Sequence, residues 1–283
     1  MRKTTVDLRL TVLFLVVAFL AAGVLGAVQP VTRIPSEVIQ LTQFGPALGV
    51  GVVAVLWRRR VRELLTGPVP GPGGSVESAG PGGRLGRAGR GLLLTVTAPL
   101  VICASAGAYA ALGGDARIAS TDAPFALIAG AQLIGACGEE IGWRCLLQPV
   151  LRARFGPLTA SVAVGLLWGV WHVQVFAQHP VYAGAFLTAT VSMSVVLGWA
   201  LEGARGSRLL LAGGFHTLVN LGMLLFMDEE AGTVLPMVLF GASCLAAAVL
   251  WTWLSRGNGR GRGREVAASP APDRLDAIME DLR

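Results

Sequence analysis

The sequence has few charged residues, and this scarcity excludes most classes of soluble protein. Only 14% of the 283 residues are charged, whereas soluble domains average about 25%. Apolar residues make up 53% of the chain, and the mean hydropathy is +0.63. This composition predicts an integral membrane protein. The net charge of +6 does not indicate nucleic-acid binding, because the arginines lie in loops between apolar segments.

Cysteine and histidine are also scarce. The four cysteines all fall inside apolar segments and have no C-x-x-C spacing, so they are interpreted as small packing residues rather than as disulfides or metal ligands. The chain has three histidines, and two of them lie inside apolar segments. No internal repeat is visible, which counts against a transporter built from duplicated halves.

Eight apolar segments have about the 20 residues that a bilayer requires. The first is longer than the apolar region of a signal peptide, so it is interpreted as an uncleaved span. The sequence therefore predicts an all-α polytopic membrane protein with about eight transmembrane helices, at residues 10–28, 38–57, 91–112, 124–150, 157–176, 181–201, 208–227 and 232–254.

The arginines and lysines predict how these spans are oriented. They are plentiful before span 1 and after spans 2, 4, 6 and 8, and sparse or absent in the other connections. Cytoplasmic loops carry this excess, so both termini are predicted to be cytoplasmic. The Ala-, Gly- and Arg-rich composition suggests a bacterial plasma membrane.

Composition divides the chain into four parts. Residues 1–65 hold two N-terminal transmembrane helices, and 66–90 are a flexible linker of Gly, Pro and Arg. Residues 91–255 are the helical core that carries the polar motifs. Residues 256–283 form a basic tail whose end has the apolar spacing of a short amphipathic helix.

Three ionisable residues interrupt the fourth apolar segment. Glu139, Glu140 and Arg144 lie in a run that is otherwise uncharged from Pro124. Each would cost roughly 2.5–3.5 kcal/mol at the centre of a spanning helix. Glu140 and Arg144 are four residues apart and are predicted to pair. Glu139 has no obvious local partner, which makes it the strongest indication of a functional site.

Two further polar motifs lie in later spans. His172 follows Trp168 by one helical turn, and His216 precedes Asn220 by one turn. His179 has no motif partner and is interpreted as a loop residue. On the predicted span limits His172 lies near the outer surface and His216 near the cytoplasmic one. The two can share a site only if span 5 starts later or bends at Gly165 or Gly169.

These residues allow two kinds of hydrolytic chemistry. Glu139, His172 and His216 could bind Zn²⁺ with an open position for water. Alternatively, a carboxylate and an imidazole could activate water without a metal. His216 and Asn220 could stabilise an oxyanion. Both routes lead to hydrolysis of a carbonyl compound, and a peptide bond is the expected substrate.

The three motifs in this order resemble the CPBP family, the CAAX-processing and bacteriocin-processing intramembrane endopeptidases formerly called Abi. The resemblance covers roughly residues 91–225. It implies an eight-helix protease with a conical cavity, in which Glu139 activates water and Glu140 pairs with Arg144. It also implies that His172, His216 and Asn220 complete the site. The family usually has Phe where Trp168 stands, a difference interpreted here as one aromatic residue replacing another.

Two other functions fit the same residues. A non-catalytic immunity or scaffold protein of this family would carry the motifs without hydrolysing a substrate. A small transporter would use the ionisable groups as a path for protons or cations. The expected partners are membrane lipid and a peptide or lipidated protein, with no nucleic acid. Nothing in the sequence specifies which peptide.

Overall fold

The computed structural model describes residues 2–68, 87–116, 118–121, 123–204, 206–226 and 232–268, with the backbone alone at 2–6, 87 and 256–268. Within these residues the chain is helical and contains no strand. The helices are α1 (Arg2–Thr32), α2 (Gly45–Leu56), α3 (Arg58–Thr66), α4 (Arg87–Ala111), α5 (Phe125–Glu140), α6 (Gln148–Phe155), α7 (Pro157–Trp171), α8 (Pro180–Ala200), α9 (Arg208–Phe226) and α10 (Val234–Ala268).

The predicted all-α polytopic architecture is confirmed. Each of the eight predicted spans corresponds to helical structure. Five helical segments are long and apolar enough to cross a membrane: Asp7–Thr32, Ala88–Ala111, Pro180–Ala200, Arg208–Phe226 and Val234–Ser255. Two shorter apolar segments are Leu41–Leu56 and Pro157–Trp171. The orientation in the membrane stays a prediction. The structure does not describe residues 69–86 of the predicted linker, or the short amphipathic helix predicted at the end of the C-terminal tail.

Helix α8 lies at the centre of the bundle and packs against α7 and α10, while α9 packs against α4 and α5. The two N-terminal helices pack on this core through aromatic side chains. Phe14 of α1 contacts Trp143 edge to face with ring centroids 5.7 Å apart, and Trp143 contacts Trp171 in the same way at 6.0 Å. Trp171 also donates its indole N–H to the carbonyl of Ala18 at 3.4 Å. The N-terminal helices therefore support the part of the chain that carries the motifs.

Buried arginines join the helices at one end of the bundle. Arg208, only 1% exposed, donates to the carbonyls of Leu64 and Leu65 at 2.6 and 2.7 Å, and so satisfies the C-terminal end of α3. Arg152 donates to the carbonyl of Gly198 at 2.6 Å and pairs with Glu202 at 3.1 Å. Each cation binds carbonyls near a helix C-terminus, where the helix dipole favours positive charge.

Gly165 is expected to be essential for the contact between α7 and α8. A Cβ at this position would lie 2.6 Å from the Cα of Val191, and backbone cannot move aside as a flexible side chain can. We expect Gly165→Ala to destabilise the protein by about 1–3 kcal/mol, although alanine is normally the better helix former. The check is the thermal unfolding midpoint in detergent.

Gly184→Ala in α8 is the matched control for this prediction. A Cβ at Gly184 would meet nothing within 4 Å, so this variant should unfold at the parent temperature or slightly above it. Equal midpoints for the two variants would contradict the role of Gly165 in helix packing.

Candidate active site

The Glu-Glu motif lies where α5 changes its helical pitch. Glu139 and Glu140 are the last residues of α5, and Ile141–Leu147 continue the helix with π geometry before α6 begins. Gly142 lies in this segment against α1 and α2, where a Cβ would come within 2.6 Å of Pro46 and 2.9 Å of Phe14. Single π turns are frequent at functional sites. The segment holds the two carboxylates at a fixed place between α2, α5 and α9.

Glu140 is the centre of a buried ionic network. Its carboxylate lies 3.0 Å from Nε of Arg144, so the predicted pair is present, and 3.0 Å from Nδ1 of His216. Both side chains of the pair are fully buried. Arg144 also donates to the hydroxyl of Ser194 at 3.3 Å, and its guanidinium lies 4.9 Å from the ring centre of Trp168. The network joins α5, the π segment, α7, α8 and α9.

Glu139 has a partner that the sequence analysis missed. The indole N–H of Trp168 donates to Oε2 of Glu139 at 2.7 Å, a short bond typical of a charged acceptor. Glu139 is only 2% exposed, so this bond satisfies one oxygen of a carboxylate that has little access to water. The interpretation of Trp168 as an interchangeable aromatic ring was therefore incomplete, because phenylalanine has no N–H to donate.

One cavity of about 770 Å³ brings together four of the six predicted site residues. Glu139, His172, His216 and Asn220 line it, together with Trp168. The rings of His172 and His216 lie 5.9 and 5.1 Å from the ring of Trp168. Glu140 and Arg144 do not line the cavity and lie behind its wall. The structure thus separates the predicted residues into a group that faces the cavity and a pair that supports it.

Hydrogen bonds define which nitrogen each histidine offers to the cavity. Nδ1 of His172 lies 2.9 Å from the carbonyl of Trp168, and a carbonyl can only accept, so this nitrogen carries the proton. Nδ1 of His216 faces the carboxylate of Glu140. An ionised carboxylate can only accept, so this Nδ1 also carries a proton. In both rings Nε2 is therefore the nitrogen left for a ligand or a water molecule.

The conflict over the depths of the two histidines came from a wrong span boundary. Helix α7 ends at Trp171, and Val173–Ala177 form a 3-10 turn that the sequence analysis had included in the span. His172 lies at this helix end and points into the cavity that reaches His216. Neither a later start nor a bend at Gly165 or Gly169 is needed. His179 is exposed and caps α8 by accepting the N–H of Val181 at 3.2 Å.

Asn220 belongs to a polar chain that the sequence analysis did not identify. Its Nδ2 donates to Oε1 of Gln132 at 3.1 Å, and Gln132 donates to the carbonyl of Glu37 at 3.3 Å. Gln132 is the one strongly polar side chain between Pro124 and Cys137 and lies two helical turns before Glu139. Its position on the same face of α5 was the available signal. One N–H of Asn220 is therefore engaged, and its other amide atoms remain for a ligand.

The described side chains do not form the three-ligand zinc set predicted from the sequence. Among the residues that the structure describes, no group of three His, Cys, Asp or Glu side chains could hold a metal ion. One oxygen of Glu139 accepts the N–H of Trp168, and the rings of His172 and His216 lie 5.9 and 5.1 Å from the ring of that indole. The binding of zinc stays a prediction.

The part of the chain that carries this site is similar in sequence to a known protein family. Residues 121–222 match the sequence profile of the type II CAAX prenyl endopeptidase Rce1-like family. The family resemblance predicted from the sequence is confirmed for this segment. The Rce1-like segment contains all six predicted site residues, the helices α5 to α8 and α9 up to Gly222. It lies within the range of 91–225 inferred from the motifs.

Curated relatives are similar over the same part of the chain. The CAAX prenyl protease 2 of Methanococcus maripaludis is 29% identical over 130 residues, covering 42% of this chain and 46% of that protein. The lysostaphin resistance protein A of Staphylococcus aureus strain MRSA252 is 28% identical over 116 residues, with coverages of 41% and 27%. That of Staphylococcus haemolyticus is 24% identical over 116 residues, with coverages of 41% and 32%. The alignments span less than half of each relative.

Proposed function

We propose that this protein is an intramembrane endopeptidase that hydrolyses a peptide bond of a membrane-associated or lipidated substrate, in a bacterial plasma membrane. The observation that carries the proposal is the shared cavity. Glu139 at the end of α5, His172 just after α7 and His216 in α9 line one polar space within an apolar bundle. Ionisable side chains are costly inside a bilayer, so they are generally retained there only where they serve a function. The match of residues 121–222 to an endopeptidase family supports the same conclusion.

In the proposed mechanism Glu139 is the general base. Its free carboxylate oxygen takes a proton from a water molecule while the water oxygen attacks the carbonyl carbon of the peptide. Negative charge develops on the carbonyl oxygen, where an N–H of Asn220 or a protonated Nε2 of His216 would stabilise it. The C–N bond then breaks, and the proton held by Glu139 passes to the leaving nitrogen. The products are one carboxylate and one amine.

Glu140 and Arg144 are proposed to position the site without touching the substrate. Glu140 accepts the Nδ1 proton of His216 and so turns Nε2 of that ring toward the cavity. Arg144 neutralises Glu140 and packs on Trp168, which in turn holds Glu139. The supporting pair therefore orients two of the three groups that face the substrate, in the way that buried partners orient catalytic side chains elsewhere.

The test is cleavage by purified protein in liposomes of a mixture of lipidated and membrane-anchored peptides, with products identified by mass spectrometry. We expect the parent protein to cut at least one peptide at an internal bond. The Glu139→Gln variant, prepared in the same way, should not cut that peptide detectably. Equal cleavage by the two proteins would assign the activity to a contaminant and contradict the proposal.

Metal dependence can be measured on the same preparation. Water activation by Glu139 without a metal predicts that the purified protein contains less than one zinc per chain and keeps its activity after chelation. Stoichiometric zinc that is lost together with activity, and an activity restored by added Zn²⁺, would favour the metal route that the sequence left open.

Trp168→Phe is predicted to lower activity while leaving the fold intact. The substitution keeps an aromatic ring beside His172 and His216 but removes the N–H that binds Glu139. A hydrogen bond to a charged group contributes about 1.5–3 kcal/mol, so we expect turnover to fall by roughly 10- to 100-fold. The measurements are the initial cleavage rate and the thermal midpoint.

Trp143→Phe is the matched control for Trp168→Phe. Trp143 is fully buried, its indole nitrogen has no hydrogen-bond partner in the described structure, and it does not line the cavity. The control should keep nearly full activity. A loss that is equal in the two variants would show that the indole bond to Glu139 has no special role.

The relatives named lysostaphin resistance protein A favour resistance as a second candidate function. A resistance or immunity protein could carry the same motifs without cleaving a substrate. The two candidates differ in what the Glu139→Gln variant does in cells. A resistance phenotype that survives this substitution would support the non-catalytic function, whereas its loss together with proteolysis would support the endopeptidase.

A further inference from the structure

We propose that the cavity opens on the non-cytoplasmic face of the membrane and admits an extended internal segment of a membrane-anchored or lipidated substrate from that side. The assignment of the segment as a substrate rests on the proposed function. The side on which the cavity opens rests on the arrangement of the bundle and on the charge of its two ends, and does not depend on the proposed function.

The mouth of the cavity is built by the connections at one end of the bundle. These connections are α1–α2, α4–α5, α7–α8 and α9–α10, and contacts tie them together. The N–H of Ala123 donates to the carboxylate of Glu37 at 3.2 Å, and that of Ala119 donates to the carbonyl of Leu225 at 2.8 Å. Residues of all four connections line the cavity: Glu37, Gln40, Ser120, Gln174, Gln178 and Thr233.

The opposite end of the bundle carries the arginine contacts. Arg60 pairs with Asp7 at 2.7 Å, and Glu202 pairs with Arg152 at 3.1 Å and with Arg90 at 3.5 Å. Arg208 contacts the C-terminal end of α3 at the same end of the bundle. The basic segments are therefore gathered at one surface of the bundle, and the cavity mouth lies at the other.

The charge of the two ends assigns them to the two sides of the membrane. In the sequence, the stretches that join α1 to α2, α4 to α5, α7 to α8 and α9 to α10 contain two of the 23 lysines and arginines, against six acidic residues. Short loops rich in arginine are retained in the cytoplasm. The arginine end is therefore cytoplasmic and the mouth faces the other side, where a substrate whose cleavage site lies in the cytoplasm could not reach it.

The depth of the cavity limits what can reach Glu139. Helix α5 starts at Phe125 near the mouth and reaches Glu139 about 20 Å further along, at 1.5 Å per residue. An extended peptide advances about 3.3 Å per residue. A substrate must therefore present about six unfolded residues before its scissile bond meets Glu139, so a flexible segment beside a membrane anchor fits and a folded domain does not.

The lining also favours an internal segment over a free C-terminus. Among the described residues that line the cavity, Glu37, Asp115 and Glu139 are acidic and none is lysine or arginine. The basic groups of the lining are the imidazoles of His172 and His216, so a terminal carboxylate held in this cavity would meet carboxylates without a permanently charged partner. An uncharged or basic internal segment would meet glutamine, tyrosine and acidic side chains with which it can form hydrogen bonds.

Labelling of single introduced cysteines in intact cells tests the side of the opening. The variants are Gln40→Cys and Gln178→Cys at the mouth, Met223→Cys on the cavity wall one helical turn inside the mouth, and Ser207→Cys at the arginine end, where the side chain is exposed. The parent chain, whose cysteines are all free, provides the background. A bulky membrane-impermeant maleimide is used for the surface positions, and a small cationic methanethiosulfonate for Met223→Cys.

We expect Gln40→Cys, Gln178→Cys and Met223→Cys to be labelled in intact cells, and Ser207→Cys to be labelled only after the membrane is permeabilised. Labelling of Ser207→Cys alone would overturn the proposal by reversing the orientation. Labelling at the mouth without labelling of Met223→Cys would overturn it by showing that the cavity is closed to that side. None of these results requires proteolysis, so a failure of the proposed endopeptidase activity would be recognised separately.

Discussion

A Glu139→Gln variant is expected to lose about a thousandfold of peptide-cleavage activity while folding normally. General-base catalysis contributes about 10²- to 10⁴-fold, and an amide cannot take the proton of the attacking water. The side-chain oxygen of glutamine can still accept the N–H of Trp168, so the contact at 2.7 Å has a replacement. The measurement is the initial cleavage rate per folded protein in liposomes, with folding checked by the thermal midpoint.

Glu37→Gln is the matched control, because it makes the same change at another carboxylate lining the same cavity. The glutamine oxygen can still accept the N–H of Ala123, and the mouth lies far from the reacting bond. This variant should cleave at nearly the parent rate. If Glu139→Gln also cleaved at the parent rate, the assignment of Glu139 as the general base would be contradicted.

The architecture could be predicted from the sequence because a bilayer limits what an apolar run can be. Eight runs of about 20 apolar residues lead to helices, and all eight are found as helical structure. The boundaries were less certain, because membrane apolarity does not distinguish a helix from the turn that follows it. Val173–Ala177 is apolar enough to extend span 5, although the helix ends at Trp171. That error alone produced the apparent conflict between His172 and His216.

The site was predicted in part, and what was missed depends on contacts between helices. The pairing of Glu140 with Arg144 follows from their spacing along one helix, so it could be anticipated. The bond from Trp168 to Glu139 joins residues 29 positions apart, and the sequence contains no spacing rule for such a contact. The same holds for the contact of Asn220 with Gln132. The sequence shows which polar residues lie in apolar segments without a structural need for them. The fold determines which of these residues come into contact.

Removing one member of the pair of Glu140 and Arg144 is expected to destabilise the whole bundle. Breaking a buried ion pair on one side leaves an uncompensated charge and costs about 3–5 kcal/mol, and here both side chains are fully buried. Arg144→Met leaves Glu140 with His216 as its remaining partner. It also removes the bond to Ser194 and the contact with Trp168. We therefore expect a large drop in the thermal midpoint and loss of activity.

The double variant Glu140→Gln/Arg144→Met separates the ionic cause from simple loss of packing. With both charges gone, no uncompensated ion remains, and the glutamine oxygen can still accept the Nδ1 proton of His216. The double variant should therefore unfold at a higher temperature than Arg144→Met alone, a non-additive result typical of contacting residues. Arg59→Met, which breaks the exposed surface pair of Arg59 with Glu63, should leave the midpoint unchanged. A double variant less stable than Arg144→Met would instead mean that the arginine acts mainly by filling space beside Trp168.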